Sequence, residues 1–128
     1  MDIEKQRIQD DLRGIISGEV YCDPVMTQLY ASDASIYQLQ PTGVVRPRSP
    51  QDVVATVQYA AEHGISLHPR GAGTGVSGES LGAGLILDFS QAMRRIELLP
   101  EQTTVRVQSG ATLSTLNRTL RGLSLIHI

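Results

Sequence analysis

The sequence is poor in cysteine and in aromatic residues. It contains one cysteine, Cys22, no tryptophan, four tyrosines and one phenylalanine. A single cysteine permits neither an internal disulfide bond nor a cysteine-ligated cluster, so we expect Cys22 to be a plain thiol. Because aromatic rings are scarce, the core has to be built from leucine, isoleucine, valine and alanine, which favours regular helices and strands over an aromatic stacking platform.

An excess of positive charge is also missing, as are long hydrophobic runs. Eleven Lys and Arg stand against thirteen Asp and Glu, scattered along 128 residues, for a net charge of −2. No basic face results, so we expect no nucleic-acid partner. No apolar run approaches the roughly 20 residues that a membrane span needs, and residues 1–5 lack the features of a signal peptide. We therefore predict a cytoplasmic protein, with contact at the inner membrane surface left open.

The apolar pattern of the first forty residues predicts a helical lead-in. Apolar positions recur at helical spacing from about Ile3 to Ile16, which predicts an amphipathic helix that ends near Gly18. A second, short helix is predicted from Met26 to Tyr30.

A strand-helix-strand unit follows the lead-in. Val44 to Pro47 is extended, because the residue before a proline is pushed out of the helical region. Ser49 and Pro50 are typical of the cap and first position of a helix, which continues to Gly64. Residues 65–69 alternate and predict the second strand, which we expect to pair in parallel with the first.

Three further strands and a helix complete the predicted α+β domain, a mixed sheet with flanking helices. The strands are Leu85–Asp88, a candidate from Met93 to Leu99, and residues 103–108, the last two forming a hairpin. Thr112 is predicted to cap a final helix that ends before Gly122.

The segment richest in glycine lies between two of these strands. Residues 69–78 read Pro-Arg-Gly-Ala-Gly-Thr-Gly-Val-Ser-Gly, with four glycines in the last eight positions. Such a loop brings bare backbone N–H groups against a phosphate. Its Gly-x-Gly-x-x-Gly match, residues 73–78, also fits a Rossmann dinucleotide site, which requires a helix at this point. Gly82 and Gly84 would break such a helix, so a strand-loop-strand turn is favoured, with a merely structural glycine connection as the alternative.

Several motifs in fixed order resemble the FAD-binding domain of the p-cresol methylhydroxylase and vanillyl-alcohol oxidase family. They are Val45-Arg46-Pro47, the helix after it, the glycine loop, residues 84–90 and residues 104–113. The sequence is most similar to the branch with D-lactate dehydrogenase and glycolate oxidase flavoproteins. Residues 32–35 with Tyr37 also resemble the lead-in of large members that carry an iron-sulfur region.

The resemblance implies a set of cofactor-binding residues. The loop backbone would wrap the FAD pyrophosphate, Pro47 would lie against the adenosine end, and the turn at residues 110–112 would add backbone contacts. Thr74 stands where some members carry a flavin-linking histidine, so FAD would bind noncovalently. The implied set is Pro47, Arg70, Gly71, Ala72, Gly73, Thr74, Gly75, Ser77, Gly78, Gly110, Ala111 and Thr112.

The resemblance further implies a parent enzyme that oxidises a small 2-hydroxy acid of the D-lactate or glycolate type. Its substrate-binding groups would belong to a later domain, so no residue here is expected to be catalytic and no metal site is expected. We interpret residues 41–122 as the first part of the FAD-binding domain and residues 123–128 as a non-native tail, so that the fragment itself would be inactive. A noncatalytic nucleotide-binding module and a nicotinamide-dependent dehydrogenase, the latter if the glycine loop opens a helix, remain alternatives.

Overall fold

A computed structural model describes residues 1–123 of the chain. Six short strands and four helices occupy this range. In chain order they are α1 (Ile3–Arg13), β1 (Glu19–Tyr21), α2 (Pro24–Leu29), β2 (Gly43–Arg46), α3 (Pro50–His63), β3 (Leu67–Arg70), β4 (Leu85–Asp88), β5 (Ile96–Leu98), β6 (Val105–Val107) and α4 (Leu113–Gly122).

Four of the strands form one mixed sheet in the order β1-β2-β4-β3. β1 is antiparallel to β2, whereas β2 and β3 are each parallel to β4. The predicted direct pairing of the strands on either side of α3 is therefore wrong, because β4 lies between them. All four residues of β4 are buried, and a run such as Leu-Ile-Leu gains most from a central position that is covered on both faces.

Alternate residues of the central strands supply two apolar layers. Val45 and Leu87 face the layer that α1 and α3 cover, where Leu12 and Tyr59 pack. Their neighbours Val44 and Ile86 face the opposite layer with Tyr30 and Met26 of the α2 region. This two-residue alternation explains why both faces of the sheet need helices.

The predicted limits of α3 are confirmed. Ser49 Oγ accepts a hydrogen bond from Asp52 N at 3.3 Å, and Pro50 is the first helical residue. Gly64 ends the helix with a φ of 64°, in the left-handed region that glycine adopts without steric cost. The confirmed hairpin of β5 and β6 pairs Ile96 with Val107.

Other predicted boundaries are wrong by a few residues. α1 ends at Arg13 rather than near Gly18, and the chain then forms β1, a strand that the sequence did not predict. The Arg13 guanidinium holds this strand, since Nη2 donates to Val20 O at 2.7 Å. The lead-in is thus not only helical. α2 begins at Pro24 because Asp23 caps it, accepting from Met26 N at 3.1 Å.

The end of the described chain is an amphipathic helix with an open apolar face. α4 contains no buried residue, and Leu113 is 71% exposed. Gly122 lies within the helix rather than after it. Of the predicted non-native tail, residues 124–128 lie outside the described residues. Within residues 1–123, every helix is too short or too polar to cross a membrane.

We expect Cys22 to react slowly with thiol reagents in the folded chain. Its side chain is 1% exposed, and burial raises the pKa of the thiol to about 11, so that little thiolate is present at pH 8. Labelling with Ellman's reagent at pH 8 should be at least about a hundredfold slower in the native chain than in urea. Rapid labelling of the native chain would contradict the buried position of Cys22 after β1.

Candidate functional site

The segments predicted to bind the cofactor converge at one edge of the sheet. The parallel strands β2, β3 and β4 all end at this carboxyl edge, where Arg70 pairs with Asp88. Pro47 follows β2, the glycine loop follows β3, and Phe89 follows β4. Ligands of open α/β sheets bind at such an edge, so the topology places the candidate residues where a ligand site is expected.

No helix follows the glycine loop. The chain turns irregularly through residues 71–84 and enters β4 at Leu85. A Rossmann site needs the N-terminus of a helix at the last glycine of the motif, so the nicotinamide alternative is wrong for this loop. The strand that follows is the arrangement that the strand-loop-strand interpretation predicted.

The loop presents a row of free backbone donors. Within residues 1–123, the N–H groups from Gly71 to Val76 donate to no other group, and Ser77 N donates to Glu79 Oε2 at 3.2 Å. Gly73 and Gly78 have φ values of 70° and 78°, which side-chain-bearing residues rarely adopt. Consecutive N–H groups in such a turn form a concave anion site, so the loop fits a pyrophosphate.

The side chains of the loop leave this row accessible. Gly71, Ala72, Thr74 and Ser77 are exposed, and the remaining glycines are half-buried. A Cβ on Gly75 would collide with the carboxylate of Glu79, which folds back over the loop. The loop therefore offers backbone donors, the hydroxyls of Thr74 and Ser77, and one nearby carboxylate.

Arg70 does not extend toward solvent from the strand end. Its Nη2 donates to Ser32 O at 3.0 Å, and its Nη1 lies 3.4 Å from Tyr30 O. A Cβ on Gly73 would lie 2.6 Å from Arg70 Nη2, so the guanidinium sits directly behind the loop. A contact between Arg70 and a phosphate stays a prediction, and the geometry gives this side chain a bracing role as well.

The second predicted glycine turn packs closely on the end of β4. Gly110 N donates to Met93 O at 2.9 Å, and a Cβ on Gly110 would collide with the Phe89 carbonyl. Only glycine fits here. Ala111 follows half-buried, and Thr112 Oγ1 caps α4 by accepting from Thr115 N at 3.1 Å. The turn thus lies at the carboxyl edge, while its contacts with a cofactor stay predictions.

Pro47 lies at the same edge, but its ring is less than 2% exposed. Within the described residues the ring packs against protein, so a cofactor would meet the backbone of this residue more readily than its side chain. The predicted adenosine contact of Pro47 stays a prediction.

Neither histidine near the sheet has the surroundings of a catalytic base. His68 is half-buried in β3, and its Nε2 lies 3.1 Å from Ser66 Oγ. His63 stacks on Tyr59 with ring centroids 4.0 Å apart, and its Nδ1 lies 2.8 Å from Tyr59 O, a typical position for an imidazole at the end of a helix.

A buried polar cluster that the sequence did not predict lies beside the loop. Asp88 accepts from Ser90 N at 2.9 Å, as a turn-capping carboxylate does. It also accepts from the Tyr30 hydroxyl at 2.5 Å, and Tyr30 in turn accepts from Arg46 Nε at 3.0 Å. Burial and the bond to Asp88 raise the pKa of Tyr30, so its hydroxyl stays protonated. Only the resemblance of residues 32–35 to a family lead-in pointed to this region.

Comparison with known proteins agrees with the fold. A family model described as FAD binding domain matches residues 41–127. D-2-hydroxyglutarate dehydrogenase of Escherichia coli (strain K12) is 44% identical over 95 residues, which cover 71% of this chain and 9% of that protein. Glycolate oxidase subunit GlcD of Bacillus subtilis (strain 168) is 32% identical over 114 residues, 85% of this chain and 23% of that protein.

Solved structures show the same fold at lower sequence identity. A 4-ethylphenol oxidase from Gulosibacter chungangensis superimposes with a TM-score of 0.79 at 22% identity, covering 98% of this chain and 26% of that one. This similarity confirms the fold that the resemblance implied, a mixed sheet with flanking helices.

The chain belongs to the FAD binding domain family. Its resemblance to the flavoprotein branch with D-lactate dehydrogenase and glycolate oxidase is confirmed, and FAD is the cofactor of this domain. The chain spans about a tenth to a quarter of the length of the curated relatives that it matches.

Proposed function

We propose that the chain is the first part of the FAD-binding domain of a flavin-dependent dehydrogenase for a 2-hydroxy acid. The observation that supports this proposal most strongly is the row of N–H groups from Gly71 to Val76, which have no acceptor among residues 1–123 and lie at the carboxyl edge of the sheet. These donors would bind the FAD pyrophosphate, whose two negative charges suit a cradle of N–H dipoles.

The other predicted residues take supporting roles around that cradle. Thr74 would add a hydroxyl hydrogen bond, and FAD would be held noncovalently because Thr74 has no nucleophilic ring nitrogen. Ser77 and Gly78 would lie toward the flavin, while Pro47 and the Gly110 turn would contact the remainder of the cofactor. Bound FAD would supply the electron acceptor for oxidation of the substrate, and this chain would bind and orient it.

The relatives favour a 2-hydroxy acid as the substrate class. The chain is 44% identical to the D-2-hydroxyglutarate dehydrogenase of Escherichia coli and 32% identical to the glycolate oxidase subunit of Bacillus subtilis. We propose D-2-hydroxyglutarate as the first substrate to test, before D-lactate and glycolate. Groups that bind it, and an iron-sulfur region of the parent, would lie outside these 128 residues.

Binding of FAD to the full chain tests the proposal. FAD fluorescence should be quenched saturably as the chain is added, and an excess of NAD⁺ should not reverse the quenching, because the loop lacks the helix that a Rossmann site requires. Absence of saturable FAD binding would contradict the proposed function of this chain.

Reduction of the bound flavin by a 2-hydroxy acid distinguishes an enzyme from a noncatalytic module. In a polypeptide of the relatives' full length that contains this sequence, D-2-hydroxyglutarate should bleach the bound-flavin absorbance near the visible maximum. Bleaching by D-lactate or glycolate instead would change the substrate but keep the enzyme. A flavin that no 2-hydroxy acid bleaches would favour the noncatalytic module.

Glu79→Gln should tighten FAD binding. The Glu79 carboxylate accepts from Ser77 N and lies over Gly75, so its negative charge opposes an incoming pyrophosphate. Because solvent reaches Glu79 and screens most of this repulsion, we expect about a threefold lower Kd at low salt. Fluorescence titrations at low salt, about 20 mM, and at high salt, about 500 mM, measure this change in Kd. An equal decrease in Kd at both salt concentrations would argue against an electrostatic origin.

A further inference from the structure

Tyr30 is fixed between the end of the sheet and the glycine loop. Its side chain is 7% exposed, its hydroxyl donates to Asp88 Oδ2 at 2.5 Å, and the same oxygen accepts from Arg46 Nε at 3.0 Å and Nη2 at 2.9 Å. A phenol that donates once and accepts twice has no free bonding capacity, so its ring has one stable position.

Arg70 connects Tyr30 to the loop. The Arg70 guanidinium lies over the Tyr30 ring, with Cζ 5.1 Å from the centroid, and its nitrogens face the Tyr30 and Ser32 carbonyls. Its Nη2 also fills the space behind Gly73, where a Cβ would lie 2.6 Å away. The position of Gly73 therefore depends on Arg70, and the position of Arg70 depends on Tyr30.

The segment after Tyr30, residues 31–37, here called the strap, is bonded at two further points to the chain between β3 and β4. Ala34 N donates to Gly73 O at 3.1 Å, and Ser80 Oγ donates to Asp33 Oδ2 at 2.8 Å. These bonds join segments that are far apart in sequence. They leave the N–H groups of the loop free while its carbonyl and flanking side chains are held.

We propose that Tyr30 is a positioning residue for the FAD-binding loop, which it acts on through Arg70 and the strap. The inference rests on the proposed function of the loop and adds that the cradle is formed before FAD arrives. A preorganised loop binds more tightly because less conformational entropy is lost on binding. Tyr30 itself touches neither cofactor nor substrate in this proposal.

The chain offers a matched control for the Tyr30 hydroxyl. Tyr59 is also 7% exposed, and its hydroxyl donates to Asp11 Oδ2 at 2.7 Å, but it lies between α1 and α3, away from the loop. Tyr30→Phe and Tyr59→Phe therefore remove the same group from an equally buried ring. Both variants are compared in the full chain, at a temperature where thermal melts show each to be fully folded.

Two measurements test the proposal. Tyr30→Phe should raise the Kd for FAD about tenfold and accelerate amide hydrogen exchange in residues 71–78 without FAD, whereas Tyr59→Phe should change neither by more than about twofold. Equal effects of the two variants, or faster exchange in Tyr30→Phe with unchanged FAD affinity, would overturn the inference. A wild-type chain that does not bind FAD would instead remove the proposed function and the inference with it.

A second matched pair covers the case in which Tyr30→Phe does not fold. Ser80→Ala removes the hydroxyl bonded to Asp33, and Ser17→Ala removes a hydroxyl bonded to Asp52 on a different part of the chain. Ser80→Ala should weaken FAD binding about threefold and accelerate exchange in the loop, and Ser17→Ala should leave both unchanged. The inference would be overturned if Ser80→Ala behaved like Ser17→Ala.

Discussion

Gly73→Ala is expected to lower the affinity of the chain for FAD about a hundredfold, because the loop would lose the shape that aligns its N–H groups. Gly73 has a φ of 70°, and an added Cβ would lie 2.6 Å from Arg70 Nη2. The alanine variant has to move either the backbone or the brace behind it. Each hydrogen bond to phosphate that this movement breaks is charge-assisted, so breaking two of them accounts for the expected change.

Gly64→Ala is the control for the backbone strain alone. Gly64 has a φ of 64° at the end of α3, and an added Cβ would meet nothing within 4 Å. Gly64→Ala should lose roughly 1 kcal/mol of stability in urea unfolding because it forces alanine into the left-handed region, and Gly73→Ala should lose at least as much. Fluorescence titration with FAD should separate them. If Gly64→Ala and Gly73→Ala bound FAD equally well, the loop would not be the binding element.

Asp52→Ala is expected to destabilise the chain by about 3 kcal/mol, because one carboxylate satisfies several donors that would be left without a partner. Asp52 is 5% exposed at the start of α3. It accepts from Ser17 N at 2.9 Å and from Gly18 N and Arg48 N at 3.0 Å, and thereby joins the end of the α1 region to α3. Urea unfolding at pH 7 measures the loss.

Asp10→Ala supplies the matched control for removing a carboxylate. Asp10 is exposed on α1, where its side chain accepts from Gln6 Nε2 at 3.0 Å. Its loss should cost no more than about 0.5 kcal/mol. Similar unfolding free energies for the two variants would contradict the role assigned to Asp52.

The contribution of Asp52 should also depend on pH. Burial raises the pKa of this carboxyl, but the N–H donors of Arg48, Ser17 and Gly18 outweigh burial and hold the pKa below its ordinary value of 3.8. A lowered folded-state pKa stabilises the fold above the unfolded value, and this stability is lost as pH falls through the folded value. The stability difference between wild type and Asp52→Ala should therefore be full at about pH 6 and should shrink below about pH 4.

Local signals account for the parts of the fold that the sequence predicted well. Ser49, Pro50 and Gly64 define α3 through cap chemistry that involves only neighbouring residues, and the apolar run Leu85–Asp88 defines β4 by its composition. The three-residue strand β1 carries no comparable pattern. It exists because Val20 pairs with Val45 and because Arg13 binds its carbonyl, and both contacts depend on the folded chain.

The candidate site likewise has one part that was predictable from the sequence and one part that depends on the folded chain. The glycines of residues 71–78 are close together in the chain, so a loop with accessible backbone N–H groups was predictable from the sequence and from the family resemblance. The bond from Tyr30 to Asp88 joins residues 58 positions apart, and neither residue type indicates a partner by itself. The strand order was also not predictable from local sequence, because the position of β4 between β2 and β3 depends on burial of both of its faces.

Amide chemical shifts of the full chain, followed during titration with FAD, show whether the glycine loop binds the cofactor. We expect FAD to shift the amide signals of Gly71 to Val76 most strongly, since these N–H groups would donate to the pyrophosphate, while the signals of α1 stay in place. Saturable binding of FAD that leaves the amides of Gly71 to Val76 unshifted would contradict this expectation.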